Sequence, residues 1–138
     1  HFRTGDISMG GGQAEAIGLY IGINLLLTLV LAILVVRQRA KHSVSLGDGG
    51  NADVERAIRA HGNNVEYVAI ALPGLIALGL LGASLTLLHA AGLLVTVGRV
   101  AHAVGISNGI SIFRQLGTLA TWISVAVIGV GCLWAVLA

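Results

Sequence analysis

A chain of 138 residues in which 56% are hydrophobic and only 10% are charged cannot cover itself with polar surface in water, because soluble domains carry roughly a quarter charged residues. That excludes a soluble globule and points to a membrane protein, and a formal net charge of +2 with no basic run interleaved with aromatics gives nucleic acid no footing. The length suits one domain, and Cys132, the single cysteine, excludes a disulfide framework within the chain.

In chain order, HFRTGDIS (residues 1–8) reads as an extraneous remnant or disordered tail ahead of a native start at Met9. The first apolar run is too long for a signal-peptide core and lacks a small-residue cleavage site after it, so no cleavable leader is expected. A membrane span needs roughly 20 apolar residues. Four stretches qualify within a single membrane domain over 9–138, with spans at about 14–37, 53–82, 84–106 and 112–138. Unpaired backbone groups are prohibitive in lipid, so each is predicted to be a helix, giving an all-α, four-helix membrane bundle.

The link between the first two spans, RQRAKHSVSLGDGGNADVERAIRAHGNN, carries Arg37, Arg39, Lys41, Arg56 and Arg59. Gly47, Gly49 and Gly50 around Asp48 suit tight turns; no Lys-Ser or Lys-Thr follows them, so this is not a phosphate-binding P-loop. Asn51 or Asp53 can cap the second helix, which is too long for the hydrocarbon and must protrude at this end, with Pro73 kinking it inside the membrane. The GASL turn between the second and third spans is short and uncharged. Arg99 and Arg114 flank the third link. All Lys and Arg except Arg3 therefore gather on one side, which the positive-inside rule assigns to the cytoplasm, with both termini opposite.

The densest polar cluster, ERAIRAHGNNVEY, runs straight into VAIALPGLIALGLLG. At 100° per residue, Arg56, Arg59, Asn63 and Glu66 form one narrow stripe, with Glu55 on its edge and Tyr67 alongside. Glu66 lies deepest, and charges at that depth normally face a bundle interior and pair; Arg59 or an arginine of another helix is its expected partner. A stripe of this kind can also be a purely structural ion-pair cluster that sets helix register. The other helices contribute at the same level, however: Arg37 ends the first span, Arg99 and His102 share one face of the third, and Arg114 opens the fourth. Cations outnumber acids there, and such a surplus wants an anionic ligand.

DVERAIRAHGNNVEY, GRVAHAVG and RQLGTLATW together resemble the MAPEG family, the membrane-associated proteins of eicosanoid and glutathione metabolism, in its short bacterial form. The resemblance covers nearly the whole chain from Met9. It implies a homotrimer of four-helix subunits in a bacterial inner membrane, with glutathione bound between neighbouring subunits near the cytoplasmic surface. Arg59, Asn63, Glu66 and Tyr67 would hold the peptide, with Arg37, Arg99 and His102 lining the cleft and Arg114 beside the sulfur. Ile106 or Gly105 stands where several members carry a tyrosine. The chemistry is coherent: arginine forks suit carboxylates, Glu66 suits an ammonium, and a nearby cation lowers a thiol's pKa. Arg114 stays protonated and can act only electrostatically.

The histidines share no ligand spacing and have no cysteine partner, so no metal is expected; His102 reads first as an interior hydrogen-bonded group. Gly18 and Gly22 form a GxxxG pair, and Cys132 lies near the opposite membrane face. The leading reading is a glutathione-dependent transferase or peroxidase that takes a lipophilic electrophile or lipid hydroperoxide from the membrane lipid. A non-catalytic binder of glutathione or another small anion is the alternative, predicting saturable binding without conjugation. A small transporter subunit is third, and would show flux that depends on Glu66.

Overall fold

The computed structural model describes residues 9–138, so the first eight residues and the reading placed on them lie outside it. Four helices make up the described chain: α1 (Gly11–Lys41), α2 (Ala52–Leu80), α3 (Leu85–Asn108) and α4 (Ser111–Leu137). Each is long and apolar enough to cross a membrane. At 1.5 Å per residue, the 31 residues of α1 and 29 of α2 reach roughly 45 Å, against about 30 Å of hydrocarbon. Both helices therefore project beyond the apolar layer at the end that carries the charges.

Local chemistry sets the boundaries. Asn51 caps α2, its side-chain oxygen accepting from the backbone N–H of Asp53 at 2.9 Å and of Val54 at 3.2 Å, which satisfies donors that the first turn leaves free. The helix continues through Pro73. It stops just before Gly82, which adopts φ +82°, while the amides of Gly82 and Ala83 reach back to the carbonyls of Gly79 and Leu78; a left-handed glycine closing a helix in this way satisfies carbonyls that the last turn would otherwise leave free. Ser84 then caps α3 through a bond from the Leu87 amide. Gly109, at φ +70°, makes the equally short turn into α4.

The α2 and α3 helices occupy the centre. The α1 helix packs on both, α4 packs on both, and α1 and α4 do not touch. The apolar core forms around Tyr20, Leu75, Leu78, Leu88 and Ile128, and a second patch joins Leu31, Ala60 and Ala103 nearer the charged end. A buried polar seam runs between them. Asn24 donates to Thr96 Oγ1 at 2.8 Å, Thr28 donates to the carbonyl of Asn24, and Asn64 donates to Thr28 Oγ1 at 2.8 Å. Such bonds tie α1 to α2 and α3 where apolar contact alone gives helices in lipid little preference for one register. The outer faces of α1 and α4 keep large apolar side chains exposed, among them Leu26, Val36, Leu133 and Trp134.

Candidate functional site

Glycines bring α3 and α4 into backbone contact at the charged end. A side chain added at Gly105 would meet the backbone of Arg114, one added at Gly117 would meet the backbone of His102, and one added at Gly98 would meet Thr121 and the Gly117 carbonyl. With no Cβ between them, the helices close until Arg114 at the start of α4 stands beside His102 and Ile106 of α3. The protruding turns of α2 supply the third wall. The result is a pocket of about 380 Å³ lined by Glu55, Arg56, Arg59, Asn63, His102, Ile106 and Arg114, within the roughly 300–1,000 Å³ typical of small-molecule sites. An apolar groove of about 660 Å³ lies at the other end of the bundle, between Leu78, Leu87, Val127 and Trp134; its lining offers no group that could hold a charged ligand or move a proton.

Of the residues singled out in the sequence, Arg59, Asn63, His102 and Arg114 line the pocket together. Arg99 does not: it is 1% exposed and sits behind Asn63. Its Nε donates to Thr121 Oγ1 at 2.9 Å, its Nη1 donates to Asn63 Oδ1 at 2.8 Å, and its guanidinium lies 4.8 Å from the centre of the Tyr67 ring. One buried cation thus pins α2, α3 and α4 with no carboxylate among its partners. Tyr67 is half-buried outside the pocket, its hydroxyl accepting from Trp122 Nε1 at 2.7 Å. Arg37 is exposed on α1, away from the pocket.

Glu66 is exposed and joins no ion pair among the described residues, where the pairs are Asp53 with Arg56 at 2.6 Å and Asp53 with His42 at 3.7 Å. The expected bond from Glu66 to Arg59 is absent from the described protomer for a reason of pitch. Seven residues return to the same helix face but lie roughly 10 Å along the axis, whereas direct pairing needs a spacing of three or four. Arg99, the other candidate partner, is turned inward.

His102 is 5% exposed, and its Nδ1 is buried without a hydrogen-bond partner, so only its other edge can meet a ligand in the pocket. Among the described residues no three His, Cys, Asp or Glu side chains cluster as a metal site would require. Cys132 packs far from the pocket, 3.9 Å from the carbonyl of Gly74.

Sequence reasoning passed over several groups that shape the site. Thr121 falls seven residues after Arg114 and so on the same face of α4, a spacing that was available to find it. Asn24 and Thr28, four apart in an apolar run, carry the signal of polar residues in lipid, which face a bundle interior. For Trp122 the sequence holds no such cue.

A profile of the MAPEG family matches residues 17–134 of the chain. The chain is also 34% identical over 116 residues to the inner membrane protein YecN of Escherichia coli strain K12, an alignment that covers 84% of this chain and 88% of that protein. The same identity and coverage hold for YecN of Escherichia coli O6:H1.

Proposed function

The chain belongs to the MAPEG family, and from that premise we propose that it is a membrane-embedded glutathione-dependent transferase or peroxidase, acting on a lipophilic electrophile or a lipid hydroperoxide. The observation that carries this reading is the guanidinium surplus. Arg56, Arg59 and Arg114 surround a pocket whose only carboxylate among the described residues is Glu55, and Arg99 lies buried just behind it. Arg56 is already engaged by Asp53; Arg59 and Arg114 have no intrinsic acid among the described residues. Uncompensated cations at the edge of a low-dielectric layer favour an anion strongly.

Glutathione answers that demand with two carboxylates, which guanidinium forks such as that of Arg59 can grip through charge-assisted hydrogen bonds. Its ammonium suits Glu55. The thiol is the reactive group, and its role is to attack the acceptor as thiolate. Arg114 would hold the negative charge on sulfur and so enlarge the thiolate fraction at neutral pH. The apolar acceptor reaches the sulfur laterally from the bilayer along the exposed faces of α1 and α4. In this reading the site faces the cytoplasm and is completed in a homotrimer, where Arg37 and Glu66, both exposed on the protomer, meet a ligand held by a neighbouring copy.

Thiolate formation tests the proposal directly. Adding glutathione to purified protein is expected to produce the ultraviolet absorption of a thiolate. Arg114→Ala is expected to abolish it while glutathione still binds, about tenfold more weakly, as for loss of one charge-assisted contact. A normal thiolate signal in the variant would remove Arg114 from the mechanism, and no glutathione binding by the native protein would remove the whole reading.

One observation favours a second reading, in which glutathione or another small anion is bound but not activated. The wall beside His102 is the hydrocarbon side chain of Ile106, which offers no hydroxyl to a reacting group. That reading predicts saturable binding and no conjugate with any member of a broad electrophile panel.

A further inference from the structure

Arg99 carries a full charge into the bundle interior, yet it does not line the polar pocket and meets no carboxylate among the described residues. Its contacts have a directional consequence. A guanidinium has donors only, so the atom of the Asn63 amide turned toward Arg99, 2.8 Å from Nη1, is the oxygen Oδ1. A second bond from the same nitrogen to the Asn63 carbonyl, at 3.3 Å, holds the residue from its backbone side. The amide cannot then rotate end for end without placing an N–H against a buried cation. Its Nδ2 has no partner among the described residues and is not among the buried unpaired atoms, and Asn63 lines the pocket.

We propose that Arg99 is a positioning residue that sets the hydrogen-bond polarity of the pocket. By claiming Asn63 Oδ1 it makes Asn63 present N–H donors to the ligand, which restricts the ligand group seated there to an acceptor, a carboxylate or peptide carbonyl oxygen. Outside the pocket, Trp122 fixes the direction of the Tyr67 hydroxyl in the same way. The indole N–H is donor only, so the Tyr67 hydroxyl accepts from it at 2.7 Å and keeps its own proton to give. Because the Tyr67 ring lies beneath the Arg99 guanidinium, the two orienting contacts share one anchor. The inference rests on the proposed function for the identity of the ligand, and on Arg99 and Asn63 alone for the direction of the amide.

Asn63→Asp separates this from a merely structural role. The aspartate keeps its contact with Arg99, so the variant is expected to melt at or above the native temperature. It replaces donors by acceptors, so affinity for glutathione should fall about tenfold or more, while binding of the glutathione diamide, whose carboxamides can donate, should change little. Arg99→Lys, which frees the amide to turn, should bring the affinities for the acid and the diamide closer together. Unchanged glutathione affinity in Asn63→Asp, or parallel loss of both ligands in it, overturns the proposal. Should the native protein bind neither ligand, the glutathione reading falls, and the amide direction is read without ligand. In asparagine-labelled protein followed by nitrogen-15 NMR, Asn63 side-chain protons that exchange freely with water support it, and protected ones overturn it.

Discussion

Thr121 is fully buried and has one hydroxyl with two duties: it accepts from Arg99 Nε at 2.9 Å and donates to the Gly117 carbonyl at 2.8 Å. Valine has its shape without the oxygen, so Thr121→Val leaves a charged donor unsatisfied in the interior. Ser124, equally buried, donates only to the carbonyl of Ala91 at 2.8 Å, a group of α3 that a helical bond can still serve. Polar contacts between membrane helices average about 0.6 kcal/mol and reach about 1.7, and bonds to charged groups sit at the upper end. Thr121→Val should therefore destabilise by about 1.5 kcal/mol and Ser124→Ala by about 0.5 kcal/mol, measured as paired unfolding titrations in mixed detergent. Equal losses would mean that the Arg99 contact carries no special weight.

At the scale of helices, the site depends on how closely α3 and α4 approach. Gly98, Gly105 and Gly117 each face backbone or side-chain atoms of the opposite helix that leave no room for a Cβ. Gly105→Val or Gly117→Val should wedge the pair apart at the charged end. The expected outcome is loss of ligand binding by more than about tenfold, with a stability cost of about 1–3 kcal/mol from overpacking, read by calorimetric binding and thermal melting together. Far-ultraviolet circular dichroism should remain helical, since each helix satisfies its own backbone. The GxxxG pair legible in α1 behaves otherwise: among the described residues no atom of another helix comes within 4 Å of a Cβ built at Gly18 or Gly22, so within the described protomer that motif brings no helix close. A motif on one helix says that close approach is permitted, and only a partner's position says whether it happens.

For the whole molecule the decisive fact is the arrangement of α1 and α4 on either side of the α2–α3 centre without contact. Their outer faces are left apolar, suited to lipid or to further copies of the chain. Arg37 on α1 and Glu66 on α2 are both exposed on the protomer. If a neighbouring copy completes the site, Arg37→Ala should raise the dissociation constant for glutathione about fivefold to tenfold while native mass spectrometry still detects the trimer. An unchanged constant would take Arg37 out of the site. In the proposed reading the binding groups are the exposed arginines of the pocket, so affinity should also fall as ionic strength rises and the screening length shortens from about 10 Å at 0.1 M toward 3 Å at 1 M. Titration of binding against salt checks this, and a flat response would place the ligand on uncharged contacts.

Composition and the length of the apolar runs were enough to establish an all-helical chain with four helices able to cross a membrane, because lipid leaves a spanning backbone almost no other choice. The cap of α2 at Asn51 or Asp53, which the structure assigns to Asn51, the short turn after α2 and the crowding of cations at one end were equally open to reading, since each depends on residues near one another in sequence. What the sequence alone could not settle was which members of that crowd share a space. Periodicity gives the angle of a side chain about its own helix axis but not which neighbour lies there. Packing therefore decided that Arg59, Asn63, His102 and Arg114 line one pocket, that Arg99 turns inward to bond Asn63, and that Glu66 stays outside without an ion-pair partner among the described residues.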